Sequence, residues 1–130
     1  MMGNYKMAHT MIRVLDLKRS LAFYKEALGF EEVRRRDEPT YEFTLVFLGD
    51  GNPNGHQLEL TYNYGQVAPY DLGTAYGHLA VVVDDLEASW AAHDAKGYQP
   101  TEPKGLSGDG KPRYYFISDP DGYKIEIIRK

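Results

Sequence analysis

The chain has 130 residues, 42% hydrophobic and 26% charged, the proportions of one soluble globular domain. A net charge of −4 leaves no basic footprint for nucleic acid, and the lack of cysteine rules out disulfides, thiolate metal sites and a cysteine nucleophile. No apolar run approaches the ~18 residues of a membrane span and the N-terminus lacks the apolar stretch of a signal peptide, so a cytoplasmic protein with neither nucleic-acid nor membrane partners is expected.

In chain order, the first predicted strand covers residues 9–14. It puts His9, Met11 and Arg13 on one face and Thr10, Ile12 and Val14 on the other. Asp16 can cap a helix in which Leu17, Leu21, Tyr24 and Leu28 recur at helical spacing, with Phe23 and Ala27 widening the face. Gly29 followed by Phe30 predicts a left-handed helix end with an apolar contact behind it. Strands at about 31–36, 41–48 and 57–61 complete this half. Arg34, Arg35 and Arg36 are followed at once by Asp37 and Glu38, the pattern of a solvated strand end.

A linker at about 64–74 contains Gly65, Pro69 and Gly73. Tyr64, Tyr70 and the nearby Tyr76 make it more aromatic than a tether needs, which suggests part of a cavity wall. The second half predicts a strand at 77–83 and a helix at 86–96. The helix is entered through Asp84 or Asp85 and carries an apolar stripe of Leu86, Trp90, Ala91 and Ala95. Gly97 and Tyr98 repeat the helix-end signal. Strands at 98–102, 113–117 and 124–129 follow, the last two joined by the turn from Asp119 to Gly122.

The two halves are copies. Sliding the chain by 69 residues lays His9 on His78, Val14 on Val83, Asp16 on Asp85, Leu17 on Leu86 and Ser20 on Ser89. The expected fold is α+β, two βαβββ modules at residues 1–66 and 67–130 that together make one domain. Glu59 lies 50 residues after His9, and Glu126 lies 48 after His78. Leu58 and Leu60 flank Glu59, and Ile125 and Ile127 flank Glu126. Alternation therefore commits the neighbours to the core and turns each carboxylate to the opposite sheet face.

A buried carboxylate is costly unless it is paired or metal-bound. Two imidazoles and two carboxylates suit a nickel, cobalt, zinc, iron or manganese ion. His56 and His93 have no counterparts in the other half and are expected at the surface.

The segments His9 to Val14, Leu58 to Asn63, Leu72 to His78 and Asp119 to Glu126 together resemble the bacterial glyoxalase I (lactoylglutathione lyase) family of the vicinal oxygen chelate superfamily. The resemblance runs from about Tyr5 to Arg129. It implies the paired-module fold of that superfamily and a metal-dependent isomerisation of the methylglyoxal–glutathione hemithioacetal to S-D-lactoylglutathione, which detoxifies methylglyoxal.

The same resemblance implies that His9, Glu59, His78 and Glu126 ligate one divalent ion per site, across a homodimer interface. Histidine as first ligand and the short chain favour nickel, with cobalt or zinc as alternatives. Glu126 is implied as the catalytic base, with Glu59 second. Arg13 and Asn63 match positions that hold the glutamyl end of glutathione, the co-substrate, while Lys104 and Lys111 are candidates for its glycine carboxylate. Thr74 stands where some members carry an arginine. Alternatives are another enzyme of the superfamily, such as a methylmalonyl-CoA epimerase, or a metal-free small-molecule-binding resistance protein.

Overall fold

A computed structural model describes residues 3–130. The chain divides into two compact units, one ending at Tyr70 and the other beginning at Asp71.

In the first unit, β1 (His9–Arg13) leads into α1 (Leu17–Leu28), followed by β2 (Glu31–Glu38), β3 (Phe43–Gly49) and β4 (Gln57–Asn63). The four strands form one sheet in the order β1-β4-β3-β2, with β1 parallel to β4 and the other pairs antiparallel. Alternation places Ile12, Val14, Val46, Leu48, Leu58 and Leu60 on one face, and all six are buried. From α1, Ser20, Phe23 and Tyr24 are buried with them. Local chemistry sets the ends of α1. The Asp16 carboxylate accepts the Arg19 N–H at 3.1 Å. At the other end Gly29 takes φ 71°, and the Phe30 N–H reaches the Tyr24 carbonyl at 3.1 Å.

The arginine run lies on β2. Arg35 pairs with Glu32 at 2.7 Å, Arg36 pairs with Glu38, and the Arg34 guanidinium lies 3.9 Å over the Phe47 ring. The cations are thus held within the sheet, as a solvated strand end requires.

The second unit comprises β5 (Leu79–Val83), α2 (Leu86–Ala95), β6 (Tyr114–Ser118) and β7 (Lys124–Arg129). Its sheet order is β5-β7-β6, with β5 parallel and β6 antiparallel to β7. Asp85, not Asp84, caps α2, accepting the Ala88 N–H at 3.0 Å. Gly97 takes φ 78°, and the Tyr98 N–H reaches the His93 carbonyl at 3.0 Å. Tyr115, Ile117, Ile125 and Ile127 supply the buried face.

The two units are built alike, with one strand missing from the second. The strand expected at 98–102 does not form. Pro100 and Pro103 have no N–H for a ladder, and Gln99 sits in the left-handed region at φ 54°. The Thr101 carbonyl is taken by the Trp90 indole N–H at 2.9 Å, while Thr101 Oγ1 accepts the Phe116 N–H at 2.9 Å. The Thr101 N–H still donates to the Phe116 carbonyl at 2.9 Å, and an isolated bridge joins Lys104 to Tyr114.

The stripe of α2 also differs from expectation. His93, predicted at the surface, is buried, while Ala91 and Ala95 are exposed. Leu86, Ser89, Trp90 and His93 fall at helical spacing i, i+3, i+4 and i+7, so His93 lies one two-turn repeat below Leu86 on the inner face. Its burial is matched by a partner: the Tyr115 hydroxyl lies 2.7 Å from His93 Nδ1 and 2.6 Å from Ser89 Oγ. His56 is exposed, within 2.7 Å of the Thr10 hydroxyl.

Candidate functional site

Each glutamate stands on an interior strand between a parallel and an antiparallel neighbour. Glu59, on β4, faces Met11 of β1 on one side and Phe47 of β3 on the other. His9 is two residues before Met11, hence on the same face, and its Nε2 lies 3.1 Å from Glu59 Oε1. Phe47 meets the His9 ring edge-on, with centroids 5.2 Å apart.

The second unit repeats this arrangement. Glu126, on β7, faces Ala80 of β5 and Phe116 of β6. His78, immediately before β5, places Nε2 3.3 Å from Glu126 Oε1, and Phe116 stands edge-on to it at 5.3 Å. The carboxylate side chains are 10% and 19% exposed, against 40% and 43% for the imidazoles. The acids are therefore sunk in the sheet face while the rings remain open to a ligand.

Adjacent ligands on a divalent ion with metal–nitrogen and metal–oxygen distances of ~2.1 Å stand ~3 Å apart. Both pairs have that bite, and both offer the nitrogen and oxygen donors that first-row divalent ions prefer. The residues thus fit a metal. Among the described residues no three or more His, Cys, Asp or Glu side chains gather as a metal-binding cluster, so each unit offers a two-donor half.

The halves differ in one contact. The Thr61 hydroxyl donates to Glu59 Oε2 at 2.7 Å, whereas the matching position after Glu126 is Ile128. Glu59 is consequently fixed at both oxygens, while Glu126 is held through Oε1 and is the more exposed of the two.

Arg13 and Asn63 fall on the same sheet face as His9 and Glu59, with Arg13 opposite Thr61 and Asn63 two residues beyond. The Asn63 amide donates to the Tyr70 hydroxyl at 3.0 Å, leaving its second N–H and its carbonyl for other partners. Lys104 and Lys111 are exposed in the segment between α2 and β6. The Lys104 backbone forms the bridge to Tyr114, and the Lys111 N–H donates to Asp109 at 2.9 Å.

A cavity of about 750 Å3 opens beside His78, with walls that include Tyr76, Gln99, Phe116, Ser118 and Lys124. Of the three tyrosines expected in a cavity wall, Tyr76 lines this one, whereas the Tyr64 and Tyr70 hydroxyls bond with Thr44 and Asn63. The Tyr76 hydroxyl donates to the Lys124 carbonyl at 3.2 Å, and its ring stands edge-on to Tyr123. Burial, reinforced by the Asp119 charge, pushes the Tyr76 phenol up to about 12. Burial also raises the Tyr115 phenol, opposed in part by its hydrogen bond with Ser89.

Sequence reasoning did not single out Thr61, Phe47, Phe116 or Lys124. Thr61 and Lys124 carried a usable signal, since each is two residues from a glutamate and so shares its face. The two phenylalanines are opposite the glutamates only through cross-strand register, which no local spacing reveals.

Residues 6–127 match the model of the Glyoxalase/Bleomycin resistance protein/Dioxygenase superfamily, and the chain belongs to it. Among its relatives, the lactoylglutathione lyase of Haemophilus influenzae is 46% identical over 121 residues, covering 92% of this chain and 89% of that protein. The trypanothione-dependent glyoxalase I of Leishmania major is 41% identical at a TM-score of 0.83, covering 97% of this chain and 87% of the other. Glyoxalase I from Zea mays is also 41% identical, at a TM-score of 0.85; the match covers 96% of this chain but 44% of the maize chain.

Proposed function

We propose that this protein is a lactoylglutathione lyase that isomerises the hemithioacetal of methylglyoxal and glutathione to S-D-lactoylglutathione. The observation that carries the reading is the pair of His–Glu contacts, 3.1 and 3.3 Å, at matched positions of two units. The relatives named above support the same activity. His9, Glu59, His78 and Glu126 would hold one divalent ion, nickel by preference, with two donors from each of two copies. A homodimer is the assembly the family resemblance implies, with each unit offering two donors. No described helix is long and apolar enough to cross a membrane, in keeping with a cytoplasmic enzyme.

The reaction moves hydrogen from the carbon bearing sulfur to the neighbouring carbonyl carbon, so a base must act within hydrogen-bond reach of that first carbon. The bound ion supplies electrophilic stabilisation of the negative charge that develops as the proton leaves. Glu126 takes that proton, because one of its oxygens is not tied by a neighbouring side chain. Glu59, clamped by Thr61 and His9, serves chiefly as a fixed ligand and can handle the proton on the opposite face. The proton delivered to the second carbon balances the one removed, and the lactoyl thioester results without a redox cofactor. Arg13 can clamp the glutamyl carboxylate with two parallel N–H bonds, and Asn63 adds an amide contact. Lys104 and Lys111, exposed in the loop before β6, are candidates for the rest of the thiol.

The test is consumption of the glutathione hemithioacetal by apo-protein reconstituted with nickel, cobalt, zinc and manganese in turn. Turnover that depends on the added ion is expected. Failure with every ion would reject the lyase.

A further inference from the structure

Across the His9–Glu59 face of the first sheet runs a row of four residues, one per strand. Met11, Glu59, Phe47 and Arg34 stand opposite one another from β1 through to β2. Arg34 joins that row only through a β-bulge. Glu32 pairs with Leu48 and Arg34 with Phe47, so Val33 is an extra residue between them, 53% exposed. Without the bulge Val33 would face Phe47, and Arg34 would turn to the opposite side of the sheet.

At the edge of the row the Arg34 guanidinium lies 3.9 Å over the Phe47 ring. Arg35 and Arg36 are paired with Glu32 and Glu38, whereas Arg34 has no ion pair among the described residues. Phe47 separates it from Glu59 in the row. The ring it covers is only 3% exposed and meets the His9 ring at 5.2 Å. A guanidinium stacked on an aromatic face holds that ring through the attraction of its quadrupole.

Behind the matched phenylalanines the two units part. The second sheet has no strand beyond β6 from which a cation could stack. Phe116 instead meets Tyr114 edge-on at 5.8 Å and stays half-buried in the cavity wall. His9 has particular need of support. Metal-binding histidines are usually oriented by a hydrogen bond from their second ring nitrogen. His9 Nε2 faces Glu59, and no described residue hydrogen-bonds its Nδ1. The ring contact with Phe47 is left to set its orientation.

We propose that Arg34 is a positioning residue for the metal site: its cation clamps Phe47, and Phe47 holds the His9 imidazole against Glu59. The role rests on the metal reading above, and it makes the first unit's pair the preformed half of the site. Charge and positioning predict opposite signs. A guanidinium near a divalent ion repels it, so removing the cation would tighten binding if Arg34 acted through charge. Loss of the clamp loosens a ligand and weakens binding.

The test is cobalt binding to the apo-protein without substrate, read by chelator competition and by the visible spectrum of the bound ion. Arg34→Met should weaken binding about three- to fivefold, the scale of one exposed cation–π contact, and shift the cobalt bands. Arg34→Lys, which keeps a cation over the ring, should restore most of the affinity. Arg35→Met, which removes the same charge from the opposite face, should leave it unchanged. In a Phe47→Leu background Arg34→Met should add no further loss, because the intermediary is gone. Affinity unchanged or raised in Arg34→Met, an equal loss in Arg35→Met, or an additive loss in the Phe47→Leu background would overturn the role. Should Phe47→Leu not fold, the three variants at the exposed arginines decide. Wild type that binds no cobalt would reject the metal reading and this role together. Bound cobalt that ignores Arg34→Met rejects the role alone.

Discussion

The Thr61 hydroxyl donates to Glu59 Oε2 at 2.7 Å, and among the described residues no hydroxyl does the same for Glu126, where the duplicated position is Ile128. On the function proposed above, this difference gives two chemically identical residues different roles. A carboxylate fixed at both oxygens makes a rigid donor, and one tied through a single oxygen can accept a proton.

Thr61→Val keeps the shape of the side chain and removes the hydroxyl. Metal affinity is expected to fall about tenfold, the lower end of what loss of a ligand's orienting partner costs. Competition with a chromophoric chelator measures this. An unchanged affinity would mean that strand geometry and His9 alone orient Glu59.

Glu126→Gln should leave the fold intact and lower kcat far more than it raises KM, since the amide can occupy the site but cannot accept the proton. Steady-state kinetics on metal-saturated protein reads the split. Near-normal turnover would remove Glu126 as the base.

Gly105→Ala should destabilise the second unit by about 1–3 kcal/mol. Gly105 sits at φ 73°, and an added Cβ would stand 2.6 Å from Tyr114 Cε1. Gly108→Ala, where a Cβ meets nothing within 4 Å, is the neutral control. Urea denaturation midpoints compare the two, and equal midpoints would refute the clash.

Alkaline pH should weaken the fold through Tyr76. Its phenol ionises near 10 in an unfolded chain and is pushed to about 12 in the fold. The folded value is the higher one, so the neutral phenol's contribution is whole below pH ~10 and is lost as pH rises through ~12. Denaturation of wild type and Tyr76→Phe across that window should show the steeper loss in wild type. Parallel profiles would assign the alkaline loss to other groups, Tyr115 first among them, since its phenol is raised in the same direction.

Much of this was legible along the chain because the signals are local. Asp16 and Asp85 precede their helices and cap them. Gly29 and Gly97 end those helices in left-handed conformation, each with its following aromatic N–H bonded back into the last turn. Alternation turned Glu59 and Glu126 away from their buried neighbours. The strand expected at 98–102 to complete the second module does not form, because two prolines bracket Thr101 and its carbonyl is diverted to the Trp90 indole. His93 lies at an inner helical position rather than at the surface, and a polar residue stays buried there only if a partner waits for it. That partner, Tyr115, comes 22 residues later.

The amino-acid sequence by itself determined the duplication, the helix ends, and the turning of one acid per module off the core, because each depends on residues a few positions apart. Only the tertiary structure decided that His9 meets Glu59 and His78 meets Glu126 at ligand spacing, that a phenylalanine backs each imidazole, and that Lys124 faces an open cavity. Those contacts arise from pairing register between strands distant in the chain, and from a strand that failed to form. Neither is carried by the spacing of neighbours.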